Sequence, residues 1–401
     1  MRYPQALLPP GATRIDPELS ALAPDALARY AADTANPWFR RRACVVALDG
    51  RVPEAHVAAL LARLRDDEET GGVRQALLAV LGDRDELLPW LTHEDRRHER
   101  GRTADAILAT RGRLGDLTAV TGLTTLAASP WHHERMAGEA GLDGLVARRG
   151  IGAVLNEVGD GRPEDRVFRV RMAARAGEDV TYALADPDRT VAHFAQSLAD
   201  DPARLRARID EAPTAEAGLW AAYALHRLTG DADETREIDH RLGRPRVEVP
   251  GLDEGLRAAI VHEYAPRCQR QSDPRWRVEA LCTEPPARPD VDEQLRRATA
   301  ALSAAGLAPR TPVSAGDHYR QGGGTYYRIA YGEADSAVLI STLGPFASGR
   351  RGGSPRAALE SAGFRWFDDS AEDVTVTGLC VYHFGDRVPL DVRTLLFYWQ
   401  D

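Results

Sequence analysis

Apolar residues fall at helical spacing along the first two thirds of the chain. Val73, Ala76, Leu77, Val80 and Leu81 stand at i, i+3, i+4, i+7 and i+8, and Ala221, Ala224, Leu225 and Leu228 repeat most of that stripe. Each run ends in Gly-Asp (Gly82-Asp83, Gly230-Asp231), where a helix is expected to stop. Similar runs pair up along the chain, and helical patterns follow one another every 30–45 residues or so. The pairs are Trp38–Leu48 with Val57–Leu64, Val73–Leu81 with Leu87–Leu91, and Arg102–Thr110 with Leu117–Ala127. His132–Gly141 with Leu142–Val146, Val167–Ala176 with Val191–Leu198, and Ala217–Leu228 with Glu234–Leu242 continue the series. Leu252–Tyr264 is expected to close the array. Asn36 is the expected cap of the first helix with Pro37 at its first position, and Asp186 or Asp188 that of the helix carrying Val191. A single amphipathic helix cannot bury its stripe alone, so a stack is implied.

The pattern breaks at Thr283–Asp290, a proline-rich stretch with the composition of a semi-rigid linker. Beyond it the period shortens to two. Tyr327, Ile329 and Tyr331 alternate with Arg328 and Ala330, Ala337–Leu343 is an apolar run, and Gly332–Asp335 reads as a turn. A short helix from Pro355 to Ser361 follows a Ser354-Pro355 start signal, and strands are expected over Phe364–Phe367, Val374–Phe384 and Thr394–Trp399. Gly378 marks a bulge in the long strand. The expected organisation is an N-terminal segment 1–35, helical repeats 36–282, a linker 283–290 and an α+β domain 291–401 with a mostly antiparallel sheet.

The segments Val73-Arg74 through Leu81-Gly82 and Ala224-Leu225-His226-Arg227-Leu228-Thr229-Gly230-Asp231 resemble HEAT repeats, and the likeness extends over residues 36–265. It implies a mainly α fold: a right-handed HEAT-like α-solenoid whose concave surface binds a protein partner, with Arg63, Arg65 and Arg241 on its inner helices. Alkylpurine DNA glycosylases built of HEAT-like repeats suggest a second role, in which Trp38, Trp131 and Trp220 meet a base and Arg40-Arg41-Arg42 meet phosphates. An immunity or inhibitor protein against a toxin is a third. The residues 291–401 resemble no family.

Composition narrows the chemistry. The chain has 401 residues, 51 basic side chains and a net charge of −9. Every basic residue is arginine, because no lysine occurs, which fits a GC-rich, bacterium-like composition. Schiff-base lysines and Walker-type phosphate loops are thereby excluded. The acidic balance disfavours nucleic acid, although local arginine patches still admit it. Cys44, Cys268, Cys282 and Cys380 lack metal or disulfide spacing, which points to reduced thiols in a cytoplasmic protein. No segment is apolar enough for a membrane span.

No catalytic motif, cofactor or metal site is expected. His132-His133-Glu134 reads as solvated, because adjacent helical residues point about 100° apart. Two weak binding sets remain. Arg350, Arg351, Gly352, Gly353, Ser354 and Arg356 combine charge, free backbone and a helix start, suited to an anion. Tyr327, Trp366 and Tyr398 belong to a C-terminal concentration of aromatics that would suit a partner surface. Gln321–Thr325 is expected to be a mobile loop.

Overall fold

The computed structural model describes residues 17–95, 101–332, 336–350, 353–367 and 374–400. The chain is mainly α, with a small α+β region at its C-terminal end. It divides into two compact units, Met1–Met172 and Ala173–Asp401.

In the first unit the helices Trp38–Val46, Gly71–Leu81, Arg102–Arg113 and His132–Arg149 alternate with Glu54–Arg65, Leu88–Asp95 and Val120–Ala128. Leu48, Leu81 and Leu114 recur at 33-residue steps at the helix ends, all buried, so the period is written into the core. Glycines set how closely neighbours approach. A Cβ on Gly112 would stand 2.5 Å from the Gly141 carbonyl oxygen, and one on Gly141 would stand 3.0 Å from Ala109 Cα. Gly141 therefore serves packing and does not break the chain. His132–Gly141 and Leu142–Val146, expected as two helices, are one helix of 18 residues, His132–Arg149.

Two other expectations change here. The lead-in segment contains the helix Pro24–Ala32, whose Leu27, Ala28 and Ala31 are buried in the first core. Asn36 does not cap the next helix: Pro37 holds the cap position, while the Asn36 amide donates to the Tyr30 carbonyl.

The second unit begins with helices that include Arg189–Leu198, Pro202–Asp210, Ala215–Thr229, Ala232–Arg241, Glu254–Tyr264 and Pro274–Cys282. Asp188 caps the first of these, accepting from the Thr190 amide at 2.8 Å. After helix Val291–Ala304 come, among the described residues, nine strands: β1 (Val313–Ser314), β2 (Gly323–Gly324), β3 (Tyr326–Ala330), β4 (Ala337–Ser341), β5 (Phe346–Gly349), β6 (Arg365–Phe367), β7 (Thr375–His383), β8 (Asp386–Asp391) and β9 (Trp399–Gln400). The main sheet runs β1-β3-β4-β5-β6 and is antiparallel except for β5–β6, which helix Ser354–Ser361 connects in parallel. β7 and β8 form a hairpin, and β2 pairs with β9. The turn expected at Gly332–Asp335 lies largely outside the described residues; the Tyr331 amide donates to the Ser336 carbonyl at 3.0 Å across it.

Alternation sorts the main sheet's faces. Ile329, Val338, Ile340, Ala347 and Trp366 pack with Ala298, Leu302 and Leu359 of the two long flanking helices. Arg328, its neighbour Leu339 and Ser348 therefore occupy the opposite face. The bulge expected at Gly378 is present: the β7–β8 register shifts between Thr375 and Cys380, and Gly378 has φ +76°.

Two C-terminal segments differ from expectation. Thr394–Trp399, read as a strand, is helical over Thr394–Leu396, the end of helix Val392–Leu396, and is strand only at Trp399, where β9 begins. Asp391 accepts from the Thr394 amide at 2.7 Å, and Val392, Leu395 and Leu396 are buried at helical spacing. Gly323–Gly324, read as loop, pairs with β9 because only glycine fits: a Cβ on Gly324 would stand 2.5 Å from the Tyr398 carbonyl oxygen.

The stretch 283–290 joins helix Pro274–Cys282 to helix Val291–Ala304 without separating two cores. Ile260, Tyr264 and Trp276 of the helices pack in one cluster with Val376, Leu379, Val381, Leu395 and Leu396. Tyr264 donates to the Leu395 carbonyl and the Trp276 indole to the Thr377 carbonyl.

Candidate anion-binding cleft

The sheet face opposite the long helices is where chemistry gathers. Strand alternation turns Tyr326 and Arg328 of β3 toward this face, and helix Val392–Leu396 brings Arg393 to it. The Arg393 guanidinium donates from Nε to Ser348 Oγ at 3.1 Å, and Ser348 is itself fully buried. Arg350 follows directly on β5, and helix Ala315–Tyr319 adds His318 and Tyr319 at one side. Together with Tyr331, Ser336, Ala337, Leu339 and Gly349, these residues line a cleft of about 520 Å3.

The electrostatics of this cleft are one-sided. Three guanidinium groups, Arg328, Arg350 and Arg393, line it, and no carboxylate does among the described residues. Arg328 and Arg350 have no carboxylate partner among the described residues either. Elsewhere arginines are mostly matched with acids: Arg74 with Glu94 at 2.7 Å, Arg189 with Glu216 at 2.8 Å and Arg257 with Glu279 at 2.6 Å. A cleft with planar, always-charged donors and no acid among its described lining residues is complementary to an anion. Burial, then the hydrogen bond to Tyr319, pushes the Tyr326 phenol above its ordinary value, so it remains a neutral hydrogen-bonding group.

The six residues proposed for an anion divide. Arg350 lines the cleft, while Arg351 and Gly352 lie outside the described residues. Gly353 has φ +75° and precedes helix Ser354–Ser361, where Arg356 pairs with Glu360 at 2.8 Å. Nothing in the sequence marks Arg328 or Arg393. Each looks like an ordinary strand or helix arginine, and only the fold brings it to Arg350.

The proposed aromatic partner surface does not form from the three residues chosen. Trp366 is 8% exposed in the core beneath the main sheet, and Tyr398 is 3% exposed, its hydroxyl donating to Gln400 Oε1 at 3.0 Å. Tyr327, half-buried, sits in the same strand as Arg328. The exposed aromatics are others: Tyr319 at 46% and Phe384 at 67%, with Trp399 between them.

The residues required by a glycosylase reading are scattered in role. Trp38 and Trp131 are about two-fifths exposed, at 41% and 40%, but Trp220 is buried at 1%. Arg41 is buried on Glu69 and cannot meet a phosphate. Of the arginines expected on inner helices, Arg63 pairs with Asp66 at 2.8 Å and Arg241 with Asp210 at 3.1 Å. No nucleophile emerges among the thiols, since burial pushes Cys44 and Cys282 up to about 12.

Among the described residues, one group could share a metal ion. Ligand atoms of Asp105, His133 and Glu134 lie within 4.8 Å of one another. The pair His133-Glu134 was visible in the sequence, but Asp105 comes from the neighbouring helix, and no spacing announces it. Burial, followed by the charge of Glu134, pushes the Asp105 carboxyl above its ordinary value. Glu134 is already engaged by the Ser129 hydroxyl.

Comparison with family models, with curated proteins and with solved structures finds no match for this chain.

Proposed function

We propose that this protein is a non-catalytic binding protein: a HEAT-like helical scaffold whose C-terminal α+β region takes an anionic group in the Arg328–Arg350–Arg393 cleft. The carrying observation is the convergence of three arginines on a tyrosine-lined cleft without a described carboxylate. In such a setting a phosphate or carboxylate gains charge-assisted, bidentate hydrogen bonds and displaces no ion pair of Arg328 or Arg350 among the described residues. The recurring helices supply an extended surface for a protein partner, the use to which repeat architectures are well suited. No described helix is long and apolar enough to cross a membrane. Four free cysteines, three of them buried, fit a reducing cytoplasmic setting.

Calorimetric titration of the full chain with inorganic phosphate tests the cleft. The expected result is saturable binding that weakens by about tenfold or more in the double variant Arg328→Ala/Arg350→Ala, the loss of two charge-assisted contacts. Binding of equal strength in the folded double variant would refute the assignment.

A further inference from the structure

The cleft wall continues into a strip of aromatic rings, exposed at both ends and half-buried at Trp399, and this continuity names a ligand class. Tyr319 lines the cleft and is 46% exposed. The Trp399 ring lies 4.3 Å from it at 36°, and Phe384, 67% exposed, lies 5.5 Å from Trp399 at 48°. His318 flanks Tyr319 at 4.8 Å and His383 flanks Phe384 at 4.5 Å. Separate segments supply these rings: helix Ala315–Tyr319, the β7–β8 turn and β9. Phe384 and Gly385, with φ +46° and +93°, form the two-residue turn between His383 and Asp386, a hairpin geometry that needs positive φ at both positions and leaves Phe384 67% exposed at its tip.

We infer that the cleft binds a phosphorylated nucleoside, free or as the end of a single strand, with phosphate on Arg328, Arg350 and Arg393 and base on the Tyr319–Trp399 rings. This rests on the anion reading and deepens it. Arginines beside stacked aromatics are the two elements that nucleotide recognition needs, one for charge and one for the π-face of the base. A cleft of about 520 Å3 is of the size that holds one such ligand, and the strip running on to Phe384 offers room for a following base. The overall charge of −9 is not an obstacle at this scale, because the described lining contains no acid. An acidic peptide could use the arginines, but it would leave the flat exposed rings without a flat partner.

Calorimetry on the full chain would compare inorganic phosphate, adenosine monophosphate, a 5′-phosphorylated hexathymidylate and a hexaglutamate peptide. The expected result is adenosine monophosphate binding at least about tenfold tighter than phosphate, the worth of one stacked base. Tyr319→Ala removes that gain while phosphate binding persists, and Tyr319→Phe restores it. A hexanucleotide that binds more tightly still, with the extra gain lost in Phe384→Ala, identifies a strand end as the source; equal affinities identify the free nucleotide. Adenosine monophosphate no tighter than phosphate overturns the nucleotide inference and leaves the anion reading standing. Hexaglutamate tighter than either nucleotide overturns it in favour of a protein ligand. Absence of binding by phosphate and nucleotide alike defeats both readings.

Discussion

His193 shows how far burial governs a single side chain in this molecule. It sits in helix Arg189–Leu198 with its ring 5.9 Å from Trp220, and its Nδ1 has no partner among the described residues. Burial, then the charges of Arg277 and Arg270, lowers its pKa from 6.5 to about 4. The folded imidazole stays neutral through a range in which the unfolded one takes a proton. Stability is therefore unaffected above the unfolded value and is lost progressively as pH falls from 6.5 toward 4. Replacing the ring by Phe should remove this loss. Between pH 7 and pH 5, wild type should lose about 2 kcal/mol more than His193→Phe, measured by urea unfolding at each pH. Equal pH slopes would show the ring to be solvated. Individual residues were readable from sequence when their role was local. Asp188 as a cap and Gly378 as a bulge follow from a neighbouring amide or a backbone angle. Arg328 and Arg393 were not readable, because their significance lies in meeting Arg350 across strand and helix.

Among the elements, buried ion pairs staple the first unit's helices. Arg41 and Arg74, 33 residues apart, are 6% and 4% exposed and each grips a buried glutamate, Glu69 and Glu94. Arg74 also donates from Nε to the Leu64 carbonyl at 3.1 Å, tying helix Gly71–Leu81 to the end of helix Glu54–Arg65. With no lysine available, all such links use a planar fork that can hold a carboxylate and a carbonyl at once. Removing one partner strands the other charge in the core. Arg74→Ala should cost about 3–5 kcal/mol, whereas the double variant Arg74→Met/Glu94→Leu should recover most of it. Urea unfolding of the two variants separates the cases, and similar stabilities would mean that Glu94 reaches water when Arg74 is lost. Helical runs were legible because a stripe repeats every three or four residues over many turns. The errors fell where a residue had two uses. Gly141 looks like a stop but serves a close approach, and Thr394–Leu396 are strand-like residues held in a helix by the Asp391 cap.

For the molecule as a whole, the shared core of helices and sheet matters most. The composition change at 283–290 is real, yet Trp276 and Tyr264 before it are buried against Leu379, Val381 and Leu395 after it. Sequence locates a change of period but cannot tell which surfaces then meet. A chain ending at Glu284 should lose the partners of Ile260, Tyr264 and Trp276 and expose a large apolar face. Its thermal midpoint should fall by more than 10 °C or so, or it should aggregate on expression, since several buried side chains at about 2–5 kcal/mol each would be unpacked. A truncated chain that melts like the intact one would show that the helices hold their core alone.

The same feature sets an order of events during synthesis. The Tyr264 hydroxyl closes on the Leu395 carbonyl, 131 residues later in the chain. A ribosome adding about 5–20 residues each second needs several seconds or more to cover that interval. In the later part of it, helices Glu254–Tyr264 and Pro274–Cys282 have left the exit tunnel before Val376, Leu379, Val381, Leu395 and Leu396 can complete their core. The nascent protein thus carries a sticky, unfinished surface until its final strands emerge, a window in which chaperones have something to hold and a premature stop leaves a product that proteases can recognise.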